Sequence, residues 1–85
     1  MTPTEMIAAR ILTLCEENNM SINKLAETSG VPNSTIHNII HGQSKNPRLE
    51  TLGRIGRAFN MTPAEFLDFP ELNAFQLAQI NADSK

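Results

Sequence analysis

"LAETSGVPNSTIHNII", residues 25–40, sets a glycine and a proline between two short runs whose apolar residues recur at helical spacing. Neither run is long enough to hold a helix in water alone, because isolated helices below about 12–15 residues are marginal. Glycine takes positive φ without a Cβ penalty, so Gly30 can end one helix and turn the chain sharply. Val31 can plug the angle between the two helices, and Pro32 opens the next with its φ already set. Ile36, Ile39 and Ile40 then fall on one side of the second helix, facing inward. Its other side carries Asn33, Ser34, His37 and Asn38, with His41 just beyond. All five can hydrogen-bond and none is acidic, so the stretch predicts two helices crossed at a tight turn, one with a polar face outward.

Working outward, no sustained alternation of apolar and polar residues is found, and most apolar spacings are three or four, which predicts an all-α chain. Thr2, Pro3 and Glu5 form a capping-box start for a first helix, with Ile7, Ile11, Leu14 and Cys15 as its apolar stripe. That helix should stop between Glu17 and Asn19, where asparagines favour a turn. Ser21 caps the second helix, whose inward residues are Ile22, Leu25 and Ala26. After the third helix, which ends at Gly42, "QSKNP" is a polar loop. "RLETLGRIGRAFN" is a fourth helix with Leu49, Leu52, Ile55 and Phe59 inward. "MTPAEFLDF" repeats the opening device with Thr62, Pro63 and Glu65, and turns Phe66 and Leu67 inward. The expectation is one domain over residues 1–69, built of five helices, followed by a tail over residues 70–85. A short helix is predicted within that tail from Leu72 to Ile80, with Phe69, Leu72, Phe75 and Ile80 left without an assigned partner.

The composition is 40% apolar, with four Phe and no Trp or Tyr, which suits a small core of Ile, Leu and Phe. A single cysteine excludes a disulfide framework within the chain and reads as a buried thiol in a reducing compartment. No run of about 18 apolar residues offers a membrane span, and the N-terminus lacks the basic start and apolar stretch of a signal peptide. A cytoplasmic protein without a membrane partner is expected. The net charge of −2 is unevenly spread. Residues 1–18 carry −2 (Arg10 against Glu5, Glu16 and Glu17), and residues 61–85 carry −3 (Lys85 against Glu65, Asp68, Glu71 and Asp83). Residues 19–60 carry +3, from Lys24, Lys45, Arg48, Arg54 and Arg57 against Glu27 and Glu50. Positive charge therefore surrounds the helix pair, and its distribution says more about a polyanionic partner than the total does.

Residues Met6 to Asp68 resemble the lambda-repressor-like, Cro-type (XRE-type) helix-turn-helix family. The marks are Leu25-Ala26, Gly30-Val31, Ile36 with Ile39, Gly42, Pro47, and then Leu52, Ile55 and Phe59. The resemblance implies a five-helix lambda-repressor-like DNA-binding domain in which helices 2 and 3 form the helix-turn-helix. Helix 3 would enter the major groove of double-stranded DNA, as in related proteins. Carried over by position, Asn33, Ser34 and Asn38 are the base-reading residues, flanked by Thr35 and His37. Asn can pair with the N6 and N7 of adenine, and Ser can approach either type of pair. The DNA backbone would be gripped by Ser21, Asn23 and Lys24 at the start of helix 2. His41, Gln43, Ser44, Lys45, Asn46 and Arg48, in and after the end of helix 3, would grip the other wall. Three positions depart from the family pattern: His41 precedes Gly42 where glutamate or asparagine is common, and Pro32 replaces the usual capping Ser or Thr. Ile22 stands where some relatives carry a DNA-directed glutamine.

These features predict a sequence-specific transcriptional regulator, a repressor, acting as a homodimer because one short helix reads few base pairs. The alternative is a protein-interaction module, such as an antitoxin or adaptor that holds a partner protein. No enzyme is expected: Glu16 and Glu17 are helix neighbours about 100° apart and cannot act as an acid–base couple. His37 and His41 are four apart, a spacing that can bind metal. No cysteine or carboxylate partner stands near them, so they are read as solvated or phosphate-facing, with no metal and no cofactor.

Overall fold

Threonine, proline and glutamate open the chain as a capping box closes on itself. Thr2 Oγ1 accepts from the Glu5 N–H at 3.2 Å, and Glu5 Oε1 accepts from the Thr2 N–H at 2.9 Å. Two of the four orphan donors at the helix start are thereby satisfied, and α1 runs over Pro3–Glu17. A computed structural model describes residues 2–44 and 46–83, with side chains as far as residue 79. Six helices follow in order: α1, α2 (Ile22–Ser29), α3 (Asn33–Ile40), α4 (Leu49–Ala58), α5 (Pro63–Leu67) and α6 (Pro70–Asp83). No strand occurs among the described residues.

Helix α1 ends as its asparagines predict. Asn18 Nδ2 donates to the Leu14 carbonyl at 2.7 Å, and Asn19 takes a positive φ of 51°. The same opening device recurs at α5, where Thr62 Oγ1 accepts from the Glu65 N–H at 3.1 Å and Glu65 Oε1 accepts from the Thr62 N–H at 2.9 Å. Helices α2 and α3, at eight residues each, could not persist alone. They are held by burying Leu25, Ile36 and Ile39, each exposed by 1% or less. Full burial of such a side chain is worth on the order of 1.5–3 kcal/mol.

The core is one cluster, with Ile11, Leu25, Ile36, Ile39, Ile55 and Phe66 at its centre. α1 packs on α3 and α6, α2 on α3 and α4, and α4 on α5. The α4–α5 approach depends on Gly56, where an added Cβ would lie 3.0 Å from Phe66 Cβ. Cys15 is buried, and burial pushes its thiol pKa up, so it stays protonated and inert at neutral pH.

The structure revises three expectations. Leu49, expected to face inward, is 67% exposed: it is the first residue of α4, before the helix settles onto α2, and the stripe inside begins at Leu52. The short helix expected in the tail from Leu72 to Ile80 starts earlier and runs longer, as the fourteen residues of α6. Phe69 and Leu72 are not spare surface for a partner, since both are buried in the core of their own chain. Arg10 pins this corner. Its Nε donates to the Phe66 carbonyl at 3.2 Å, Nη2 to the Glu65 carbonyl at 3.4 Å, and the guanidinium lies 5.3 Å from the Phe69 ring centroid. Phe75 is half-buried, and the Ile80 side chain lies outside the described residues.

Candidate nucleic-acid interface

The angle between α2 and α3 is set at Gly30, with φ 74° and ψ 9°, the left-handed conformation expected of it. Ser29, 2% exposed, braces the turn. Its Oγ donates to the Ala26 carbonyl at 3.4 Å and accepts from the Val31 N–H at 3.2 Å, which lets Val31 bury at 3% exposure. Pro32 stands just outside α3 as its N-cap, with no side-chain cap bond; its restricted φ and its carbonyl, which accepts from the Thr35 and Ile36 N–H groups at 3.0 and 3.2 Å, hold that end. With Ile36 and Ile39 locked into the core, the opposite side of α3 has to face solvent.

That outer side presents Ser34, Asn38 and His41 as exposed residues, with Asn33, Thr35 and His37 half-buried along it. Asn33 Nδ2 donates to Asn23 Oδ1, which ties the start of α3 to the start of α2. A primary amide has two N–H donors and a carbonyl acceptor. Asn33 therefore keeps one N–H and its Oδ1, the donor and acceptor that the N7 and N6 of adenine accept and donate to. Thr35 lines a cleft shared with Arg48, the N-cap of α4, and with Thr51 of α4. His37 and His41 stack with ring centroids 5.6 Å apart and planes 8° from parallel. Among the described residues no group of three or more histidine, cysteine or acidic side chains could hold a metal ion.

Of the residues expected at the DNA backbone, Ser21 caps α2, its Oγ accepting from the Lys24 N–H at 3.0 Å. A hydroxyl also carries one donor, so Ser21 can still give a hydrogen bond outward. Lys24 pairs loosely with Glu27 at 3.6 Å, with both side chains well exposed. After α3, Gly42 turns at φ 76°, and the N–H groups of Gln43 and Ser44 donate back to the Asn38 carbonyl at 2.9 and 3.1 Å. The loop is thus folded against the end of the outward helix. Gln43, Asn46 and Arg48 are exposed there and Ser44 is half-buried; Lys45 lies outside the described residues. Gly30, Ser29 and the Asn23–Asn33 bond bring α2 and α3 polar residues onto one surface, flanked by this loop.

Residues 10–71 match the Cro/C1-type HTH DNA-binding domain. The chain belongs to this family. Comparison with curated proteins finds no match. Among solved structures, the crystal structure of the prophage Lp1 protein 11 is similar to this chain at a TM-score of 0.75 and 28% identity. The likeness covers 85% of this chain and 95% of that one. The Cro/C1-type match includes α2, α3 and the loop to α4 whole, which is the surface assembled above. Two contributions to it were invisible in residue spacing. Ser29 reads as a plain surface serine in a helix, and the Asn23–Asn33 bond joins residues ten apart across the turn.

Proposed function

We propose that this protein is a sequence-specific transcriptional regulator of the Cro/C1 type, acting as a repressor in the cytoplasm and having no enzymatic step. The observation that carries the reading is the outer side of α3. It is polar and free of acidic residues, while Ile36 and Ile39 hold its other side immobile in the core. A rigid helix with such a face fits the major groove, where base edges offer donors and acceptors that distinguish all four base pairs. Asn33, Ser34 and Asn38 read the bases. Ser21, Lys24, Gln43, Ser44 and Arg48 position the helix on the phosphates without telling sequences apart. Repression needs nothing beyond occupancy of the site.

An eight-residue helix spans about 12 Å at 1.5 Å per residue, so one copy reads only a few base pairs. A pair of copies on half-sites about 34 Å apart, one turn of DNA, supplies the missing information, and a homodimer is part of the proposal. Selection of bound sequences from a random DNA pool tests it, together with an ionic-strength series on the winning site. The expected result is a site with two-fold-related halves and an affinity that falls steeply with salt through counterion release. No enriched sequence and a flat salt response would overturn the reading in favour of a protein-holding role.

A further inference from the structure

The fold brings one cation to the edge of α3 that the residue spacing leaves unassigned. Arg54 lies on α4, six residues beyond Arg48, and both border a shallow cleft of about 180 Å³. Thr35 of α3 and Thr51 of α4 line the same cleft. Arg54 is therefore next to a residue of the outward helix, on the flank where the loop from α3 to α4 returns. Its Nη2 is 2.8 Å from Glu50 Oε1, and the two side chains are 48% and 71% exposed. Glu50 four residues before Arg54 is the favourable order for a helical pair, and Glu50 also complements the start of α4, which has no side-chain cap.

We propose that Arg54 is a further DNA-backbone contact, one that exchanges Glu50 for a phosphate oxygen when a duplex docks on α3. The inference rests on the DNA-binding reading above. The exchange is within reach energetically. Exposed ion pairs are worth little, so opening this one lowers binding by at most about fivefold. A backbone phosphate offers the guanidinium the same two-oxygen, singly charged acceptor that a carboxylate does. Glu50 then acts as a brake on affinity: it competes for Arg54, and its own charge faces the approaching phosphates. Thr35 and Thr51, beside the two arginines, can donate hydroxyl hydrogens to the same oxygen.

The test uses the full chain and one duplex carrying the selected site, with a scrambled duplex beside it. Arg54→Ala is expected to weaken both duplexes alike and to reduce the slope of log affinity against log salt by about 0.9, one phosphate. Arg54→Lys is expected to restore most of that slope. Glu50→Gln is expected to raise affinity severalfold in the parent, and by clearly less in the Arg54→Ala background. A slope unchanged by Arg54→Ala, while Arg48→Ala lowers it, would overturn the contact. Equal gains from Glu50→Gln in the two backgrounds would overturn the exchange. If the parent itself binds no duplex in a salt-dependent way, the DNA-binding reading fails first, and that outcome is distinct from either.

Discussion

A Cβ added at Gly30 would meet nothing within 4 Å, so any cost of substitution there is a backbone cost. At φ 74° an L side chain loses roughly 1–2 kcal/mol, and a domain of this size shifts about 4–8 °C in Tm per kcal/mol. Gly30→Val should therefore melt several degrees lower and bind its site poorly. Gly30→Asn should melt closer to the parent, because asparagine tolerates this region, as Asn19 and Asn60 do here at φ 51° and 61°. Thermal melts followed by circular dichroism check this; Val and Asn variants that both melt like the parent would show that the left-handed residue does not set the turn. On the outward helix, Asn38 is exposed, and its backbone carbonyl holds the following loop. Its side chain is free for a base edge. Asn38→Ala should cost about 1–3 kcal/mol on the selected site and relax the preference at one position. Binding to random DNA should hardly change; equal losses on both DNAs, measured by titration, would leave Asn38 a positioning role alone.

Helix by helix, the two capping boxes tie folding to pH. In each, hydrogen bonds from the backbone and side chain of the cap residue, Thr2 or Thr62, hold the glutamate pKa below its ordinary value of 4.5. A carboxyl whose folded pKa is depressed contributes stability above its unfolded pKa and loses it as pH falls through the folded one. The caps should thus be at full strength at neutral pH and weaken below about pH 4.5. Glu65→Gln keeps an amide that can still bond the Thr62 N–H but cannot titrate. The parent should be the more stable at pH 7, and the gap in Tm should narrow by pH 3. A gap that stays constant across that range would mean the Glu65 charge does not strengthen the cap. The helices also differ in what sets their spacing. α4 and α5 close up because Gly56 has no side chain to hold Phe66 away, whereas α2 and α3 are spaced by Val31 in the angle of the turn.

For the whole molecule, the question is how two copies would meet. Phe69 and Leu72 belong to the core of their own chain, so removing everything from Pro70 onward would unroof the domain as well as any interface. Leu77 is different: it lies further along α6 and is 61% exposed. The body measures 45 × 24 × 21 Å, so two copies side by side can put their outward helices about one turn of DNA apart. The proposed dimer would bury this free part of α6. Leu77→Glu should lower the dimer mass in light scattering and the affinity for a two-half-site duplex. Affinity for a single half-site should stay the same, because α3 and the core are untouched. A variant that still binds the double site with full affinity would remove α6 from the interface.

Much of this protein is legible along the chain because its signals are local. Capping boxes, the positive φ of Gly30 and a stripe of isoleucine and leucine every three or four residues each depend on neighbours within one helical turn. The helix starts at Thr2 and Thr62, the tight turn and the outward side of α3 follow from them. What the chain could not display are pairings between residues distant in sequence. The α6 segment has almost no one-sided apolar pattern of its own, so its full length does not show along the chain: it packs on α1, and Arg10 lies over Phe69, from more than fifty residues earlier. Leu49 continues the apolar rhythm of α4 yet is 67% exposed, because it begins the helix on a side that the core does not cover. Arg54 reads as an ordinary surface charge until α2 packs on α4 and sets it beside Thr35. Local propensity and capping act through neighbouring backbone groups and can be read from order alone. Burial and the meeting of charges depend on which surfaces packing brings together, and only the tertiary structure decides that.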